Sequence, residues 1–173
     1  MRVVSDSSPL ITLAKIGRLE LLPRLYQTIT ITPEVYAEVV VSGAGLAGSS
    51  QIAAAKWVDV KPARKTANLA AQQRFGLGIG ELSTIFLSQE WKADVVLIDD
   101  SKARKVAQEE GLRVLGCVGV LEDAFSLKLL SDLPEAYRQL LVSGAYVDRQ
   151  ILENSLKALN LPPLVSASSK RRF

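Results

Sequence analysis

This sequence predicts an α/β domain, a mainly parallel sheet of about five short strands with helices on both faces. Three observations carry that expectation. Short runs rich in valine and isoleucine recur at residues 2–5, 28–31, 57–60, 93–98 and 112–115. Segments with helical spacing of apolar residues separate them. Between the last two runs, residues 101–110 read as a helix closed by Gly111, and such a strand, helix, strand unit makes a right-handed crossover between parallel strands.

Each element has its own local reason. Residues 2–5 form a strand that runs into Asp6, and Ser8 before Pro9 starts a helix carrying Leu10, Ile11, Leu13 and Ala14, which Gly17 ends. Residues 19–26 read as a short helix that Pro23 is expected to break or kink, and 28–31 as the second strand. Thr32-Pro33 starts a helix to about Val41, with Glu34 and Glu38 one turn apart. Residues 42–50 hold three glycines and three serines without periodicity, which predicts a mobile surface loop. Residues 51–56 read as helical and 57–60 as the third strand. Residues 63–74 are helix-like and bear Arg64, Lys65 and Arg74, a set that suits a solvated face or a phosphate backbone.

Gly76, Gly78 and Gly80 alternate ahead of Glu81. No strand precedes them and the spacing is not that of a dinucleotide-binding loop, so they predict a tight start to a helix whose inward face is Leu82, Ile85 and Phe86. The fourth strand, within 93–98, ends on Asp99 and Asp100. Amphipathic helices are expected at 117–130, 134–142 and 147–159.

The chain of 173 residues suits one domain over residues 1–160, followed by a tail, 161–173, expected to be disordered. Its net charge, 21 cations less 18 anions, is matched by Lys170, Arg171 and Arg172 alone, so the body is neutral and the charge is weak support for a nucleic-acid partner. No apolar run approaches the ~20 residues that span a bilayer, and the start shows no signal-peptide pattern, so no membrane association and a cytoplasmic protein are expected. The single cysteine, Cys117, excludes an internal disulfide and reads as a small buried hydrophobe. The absence of histidine excludes Ser-His-Asp hydrolysis, histidine-based ribonuclease chemistry and histidine-ligated zinc. A hydrolase built from this chain works with carboxylates, hydroxyls and amines.

Asp6 follows the first strand and Asp99 and Asp100 follow the fourth, at the carboxyl edge where open α/β sheets hold ligands. Every acid also has a structural reading. Asp6 and Asp100 can each cap a helix, Glu81 can complement a helix dipole, and Glu38 can be a surface residue. A cluster of ionised carboxylates in one pocket, in contrast, persists only with a cation or with raised pKa values.

The ordered set VVSDSSPLITLAKIG, ITPEVYAEV, LGIGELSTIFLS and ADVVLIDDSKARKVAQEEGLRVLGCVGVL, over residues 2 to about 130, resembles the PIN-like nuclease domain in its VapC-type toxin-related, DUF3368-like branch. The resemblance implies a three-layer α/β/α fold and a pocket of acids that falls here on Asp6, Glu38, Glu81 and Asp100, with Asp99 adjacent. Ser7 or Ser8 stands where the family often places a hydroxyl or amide beside the first acid. Two positions depart from the pattern: Glu81 replaces the commoner aspartate, and Ile98 replaces the hydroxyl residue before the fourth acid.

Oxygen-only ligands suit hard cations, so Mg²⁺ or Mn²⁺ is the expected cofactor, held by Asp6, Glu81, Asp99 and Asp100. Asp6, Glu38, Glu81 and Asp100 are the expected catalytic set of a metal-dependent ribonuclease, with RNA as substrate. Use as the toxin of a toxin-antitoxin pair, an antitoxin partner and a homodimer go with the same resemblance. The alternative is a catalytically weakened module that binds RNA or a protein, and a receiver-like phosphoacceptor pocket ranks below both, because paired receiver aspartates follow the first strand.

Overall fold

The structure, a computed structural model, describes residues 1–65, 72 and 74–164. The strands are β1 (Val3–Ser5), β2 (Ile29–Ile31), β3 (Val58–Val60), β4 (Val95–Leu97) and β5 (Val114–Leu115). They form one sheet in the order β3-β2-β1-β4-β5, and every pairing is parallel. Each lies within its predicted run and is shorter than it, because only the residues opposite a neighbour join the ladder.

Alternation along the strands divides the core into two layers. Val95 and Leu97, with Val3, Ile29 and Ile31, pack beneath α1 (Ser7–Lys15), α2 (Leu21–Tyr26), α7 (Cys117–Ser126), α8 (Leu133–Val142) and α9 (Arg149–Ala158). Val96 and Ile98 face the other way, against Leu82, Ile85 and Phe86 of α5 (Ile79–Trp91) and Ala103 and Ala107 of α6 (Ser101–Glu109). The result is the expected α/β/α sandwich. Among the described residues no helix is long and apolar enough to cross a membrane.

The chain leaves β1 for β2 and β3 on one side, then returns across the sheet to place β4 on β1's other edge through Val3↔Val95, Val4↔Val96 and Ser5↔Leu97. The carboxyl ends of β1 and β4 are therefore the switch point, where the connecting loops part and leave a crevice. The Asp6 amide donates to the Leu97 carbonyl at 2.9 Å, which locks the two strand ends together.

Several expectations change. Pro23 lies in the first turn of α2, where the missing amide has no partner to lose, so the helix runs on to Tyr26. The helix begun by Thr32-Pro33 is α-helical only over α3 (Pro33–Tyr36) and then widens into a π turn, Ala37–Ser42, through the β-branched run Val39-Val40-Val41. The glycine-rich segment is anchored at its far end: Gly48 and Ser49 are buried, and a Cβ on Gly48 would fall 2.9 Å from the Ala14 Cβ, before α4 (Ser49–Ala53) begins. Arg64 and Lys65 are not helical, because their amides donate to the two oxygens of Glu90, each at 2.7 Å. The remainder of the predicted 63–74 helix lies largely outside the described residues.

The tail is docked at its start. Leu164 is buried, its carbonyl accepts from Arg149 at 2.6 Å and its amide donates to Glu153 at 3.2 Å. Ser166, Ser168, Ser169, Lys170, Arg171 and Arg172 lie outside the described residues.

Candidate metal centre

Asp6 is the deepest of the acids, 1% exposed at the end of the central strand. It occupies the N-cap position of α1 without making a side-chain capping bond. Ser8 donates to Oδ2 at 3.2 Å, the arrangement anticipated for a hydroxyl beside the first acid, while Oδ1 is buried with no hydrogen-bond partner among the described residues. Burial raises its pKa from 3.8 to about 7, and the charges of Glu81 and Glu38 push the same way. The Ser7 and Ser8 amides, near enough to favour ionisation but out of line for a cap, offset part of this.

Glu81 is linked in charge to Asp6, Glu38 and Asp100. Its Oε2 accepts from the Gly78 amide at 2.7 Å, so it caps α5 from within, in accord with the structural reading of the sequence. Burial nevertheless raises its pKa; the Gly78 bond draws it down, Asp100 and Glu38 raise it, and Lys102 lowers it. One side chain thus feels acids from the π turn and from the strand end at once.

Glu38 is exposed, yet it is not a free surface residue. A Cβ on Gly80 would stand 2.5 Å from its Oε1 and 2.7 Å from its Oε2, so the carboxylate lies on the bare face of a glycine in the first turn of α5. The two helices are clipped together below this contact. Thr32 and Ser83 share a buried hydroxyl bond of 2.7 Å, and Ser83 also donates to the Gly80 carbonyl at 2.8 Å.

The adjacent aspartates divide the work. Asp100 caps α6 through Oδ1, which accepts from the Ala103 amide at 2.8 Å, and its charge acts on Glu81. Asp99 turns to the other side of the strand end. Its Oδ1 accepts from the Cys117 amide at 2.7 Å and its Oδ2 from the Cys117 thiol at 2.9 Å. Burial, with the Asp99 charge next, holds that thiol well above its usual pKa, so it remains a donor. Cys117 is buried as expected but is also a polar latch for Asp99, which the sequence did not suggest.

One cation belongs to the site and was missed in the sequence. Lys102 rests against Gly76, where a Cβ would fall 2.4 Å from its Nζ, and it is close enough to Glu81 to lower that pKa. The available signal was its position two residues beyond Asp100, on the first turn of the helix that Asp100 caps.

Among the described residues no three histidine, cysteine, aspartate or glutamate side chains converge closely enough to hold an ion by themselves. The Oδ1 of Asp6 has no hydrogen-bond partner among the described residues, the charges of Glu81 and Glu38 raise the Asp6 pKa, and those of Asp100 and Glu38 raise that of Glu81, circumstances in which a nearby cation would favour the ionised forms. Mg²⁺ fits such a donor set, because it binds through one or two carboxylates and keeps several waters for substrate oxygens to replace.

Comparison with known proteins identifies the family and the fold. A family model described as DUF3368, PIN domain, matches residues 2–161. Among solved structures, a PilT N-terminus domain protein from the hyperthermophilic archaeon Sulfolobus solfataricus P2 superposes with a TM-score of 0.54 at 18% identity, over 72% of this chain and 93% of that one. That likeness shows the fold. No curated protein sequence matches the chain.

Proposed function

Since this chain belongs to the PIN domain family, whose members are in general nucleases that use divalent metal, we propose that it is a Mg²⁺- or Mn²⁺-dependent ribonuclease. The observation that carries the reading is Asp6: a carboxyl 1% exposed, with one unpartnered oxygen, facing the charges of Glu38 and Glu81 at the switch point of a parallel sheet. Burying such a group without a counterion costs several kcal/mol on general grounds, and a bound cation removes the penalty.

Asp6 and Asp100, from adjacent strand ends, are the residues to hold the ion, with Glu81 between them in charge. Bound there, a divalent cation supplies a more acidic water and offsets the charge that grows on a cleaved phosphodiester. Glu38, fixed on Gly80, orients water at the mouth of the pocket and accepts a proton. Lys102 meets the phosphate as a second positive charge. Asp99, held by Cys117, positions Asp100 and leaves the ligation to it.

Incubation of the protein with single-stranded and structured RNA, with Mn²⁺ or with EDTA, tests this. Cleavage is expected with metal, stops with chelator and is lost in Asp6→Asn; equal cleavage by that variant removes the reading. Action as a toxin follows if an antitoxin encoded beside it suppresses cleavage, and light scattering reads the homodimer. A second reading, a module that binds RNA or a protein without cutting, is favoured by the absence of a closed three-ligand set among the described residues. It requires binding that survives Asp6→Asn in a protein with no cleavage.

A further inference from the structure

Residues 61–80 hold Lys61, Arg64, Lys65 and Arg74 and no aspartate or glutamate, in a chain whose body is neutral. The proposed centre gives these cations no task. Their placement along α5 supplies one, because the segment leaves β3 and passes along that helix from its last turn to its first. The Lys61 Nζ lies 4.2 Å from the ring centre of Trp91, the last residue of α5. The Arg64 and Lys65 amides are held by Glu90, and the Lys65 Nζ stands 4.2 Å from the ring centre of Phe86. Arg74 sits 5.0 Å over Phe75, whose ring meets Phe86 edge-on at 6.4 Å. Lys102 follows, resting against Gly76 beside Glu81.

A helix of 13 residues spans about 20 Å, so the cations form a strip of that length which ends at the carboxylates. The three rings are buried or half-buried, whereas Arg64, Lys65 and Arg74 are exposed. Each cation is thus seated on a fixed face and leaves its charge toward water. Asp59 and Glu90 border the strip and are both engaged, Asp59 with Lys61 at 3.4 Å and Glu90 with the two amides.

A small anion needs one or two charges at a point, whereas a row of them matches a polymer with a charge on every repeat. An acidic peptide fits the row but carries carboxylates onto the carboxylates where it ends. A nucleic-acid backbone fits both, since its phosphodiester is the group that a divalent ion on those acids receives.

We infer that the strip of Lys61, Lys65, Arg74 and Lys102 along α5 is the surface over which the phosphate backbone of an RNA strand runs into the acidic centre. This sets the strand's path across the fold, and it rests on the ribonuclease reading above. The contacts are to the backbone, so they carry no preference for base sequence.

The test follows binding of a fluorescein-labelled single-stranded RNA to the full chain in EDTA, which stops cleavage, as KCl is raised. Each cation that meets a phosphate contributes about 0.7 to the slope of log affinity against log salt. Lys65→Gln and Arg74→Gln are each expected to lower the slope by about that amount and to weaken binding about fivefold at about 0.1 M salt, and the double variant to lose about twice the slope. An RNA of unrelated sequence is expected to show the same losses. Lys65→Arg and Arg74→Lys are expected to restore binding, which separates a lost charge from a lost fold. Lys157→Gln, on α9 in the opposite layer, is expected to leave slope and affinity as they are. Three results overturn the inference: a double variant with the wild-type slope, a loss in Lys157→Gln as large as in Lys65→Gln, which assigns the effect to net charge, or stronger binding to phosphatidylglycerol vesicles than to RNA, which assigns the strip to a membrane surface. If wild type cleaves RNA with Mn²⁺ and the double variant keeps its slope, this inference fails alone. If wild type binds RNA through the strip and cuts none with metal, the ribonuclease reading fails and the strip stands.

Discussion

A Cβ on Gly80 would lie 2.5 Å from the Oε1 of Glu38, so the absence of a side chain at one position is what gives another its place. Gly80 is in the first turn of α5 with no left-handed torsion, and alanine there is favoured for helix formation by about 1 kcal/mol. Gly80→Ala is therefore expected to leave the melting temperature level or higher while displacing the Glu38 carboxylate, and to lower metal-dependent cleavage about as much as Glu38→Gln does. Calorimetry and a cleavage assay on the same preparations check it. Loss of stability together with activity would show a packing role only.

Asp6 sets a pH dependence whose sign is fixed. Its carboxyl titrates from 3.8 when unperturbed to about 7 in the folded chain. Between those values the folded state keeps a proton that the unfolded state has lost, so stability falls as pH rises through that window and is level above it. Metal-free wild type should thus melt at lower temperature at pH 7.5 than at pH 5, and Asp6→Asn should show a smaller fall. Mg²⁺ is expected to restore wild type at pH 7.5 and to leave the variant unmoved. Parallel pH profiles for the two proteins in EDTA would contradict the burial argument.

The two adjacent aspartates should separate by assay. Asp99→Ala strips the Cys117 amide of its acceptor, leaves the thiol only the Pro9 carbonyl at 3.7 Å, and is expected to cost about 1 to 3 kcal/mol of stability, with metal affinity less affected. Asp100→Ala loses a helix cap worth about 1 kcal/mol and also the ligand, so metal binding by titration calorimetry should fall steeply. The reverse ordering in metal affinity would assign the ligand to Asp99.

Lys102 lowers the pKa of Glu81, and its removal frees that value to rise. In Lys102→Met the acid limb of the kcat/KM profile against pH should therefore move to higher pH, with cleavage weakened by the missing phosphate contact. An unmoved limb would place Lys102 outside the working site.

Much of this was legible in the sequence because strand ends announce themselves. Asp6 and Asp100 follow short β-branched runs, and parallel topology puts such ends on one edge. Glu38 and Glu81 were legible through the family resemblance, but the seating of Glu38 depends on Gly80, which reads in one dimension only as a helix start. The π turn was hidden because Thr32-Pro33 and the acids one turn apart fit an ordinary helix equally well. The orientation of Asp99 depended on Cys117, 18 positions away, and no local pattern carries such a pairing.

The Asp6 amide and the Leu97 carbonyl are joined only when the first strand and the fourth, whose partners are Val3 and Val95, have both left the ribosome. Until then the pocket has one wall. On the ribonuclease reading a nascent polypeptide of this kind is expected to be inert toward the messenger being translated beside it, because Asp100 is synthesised more than half a chain after Asp6.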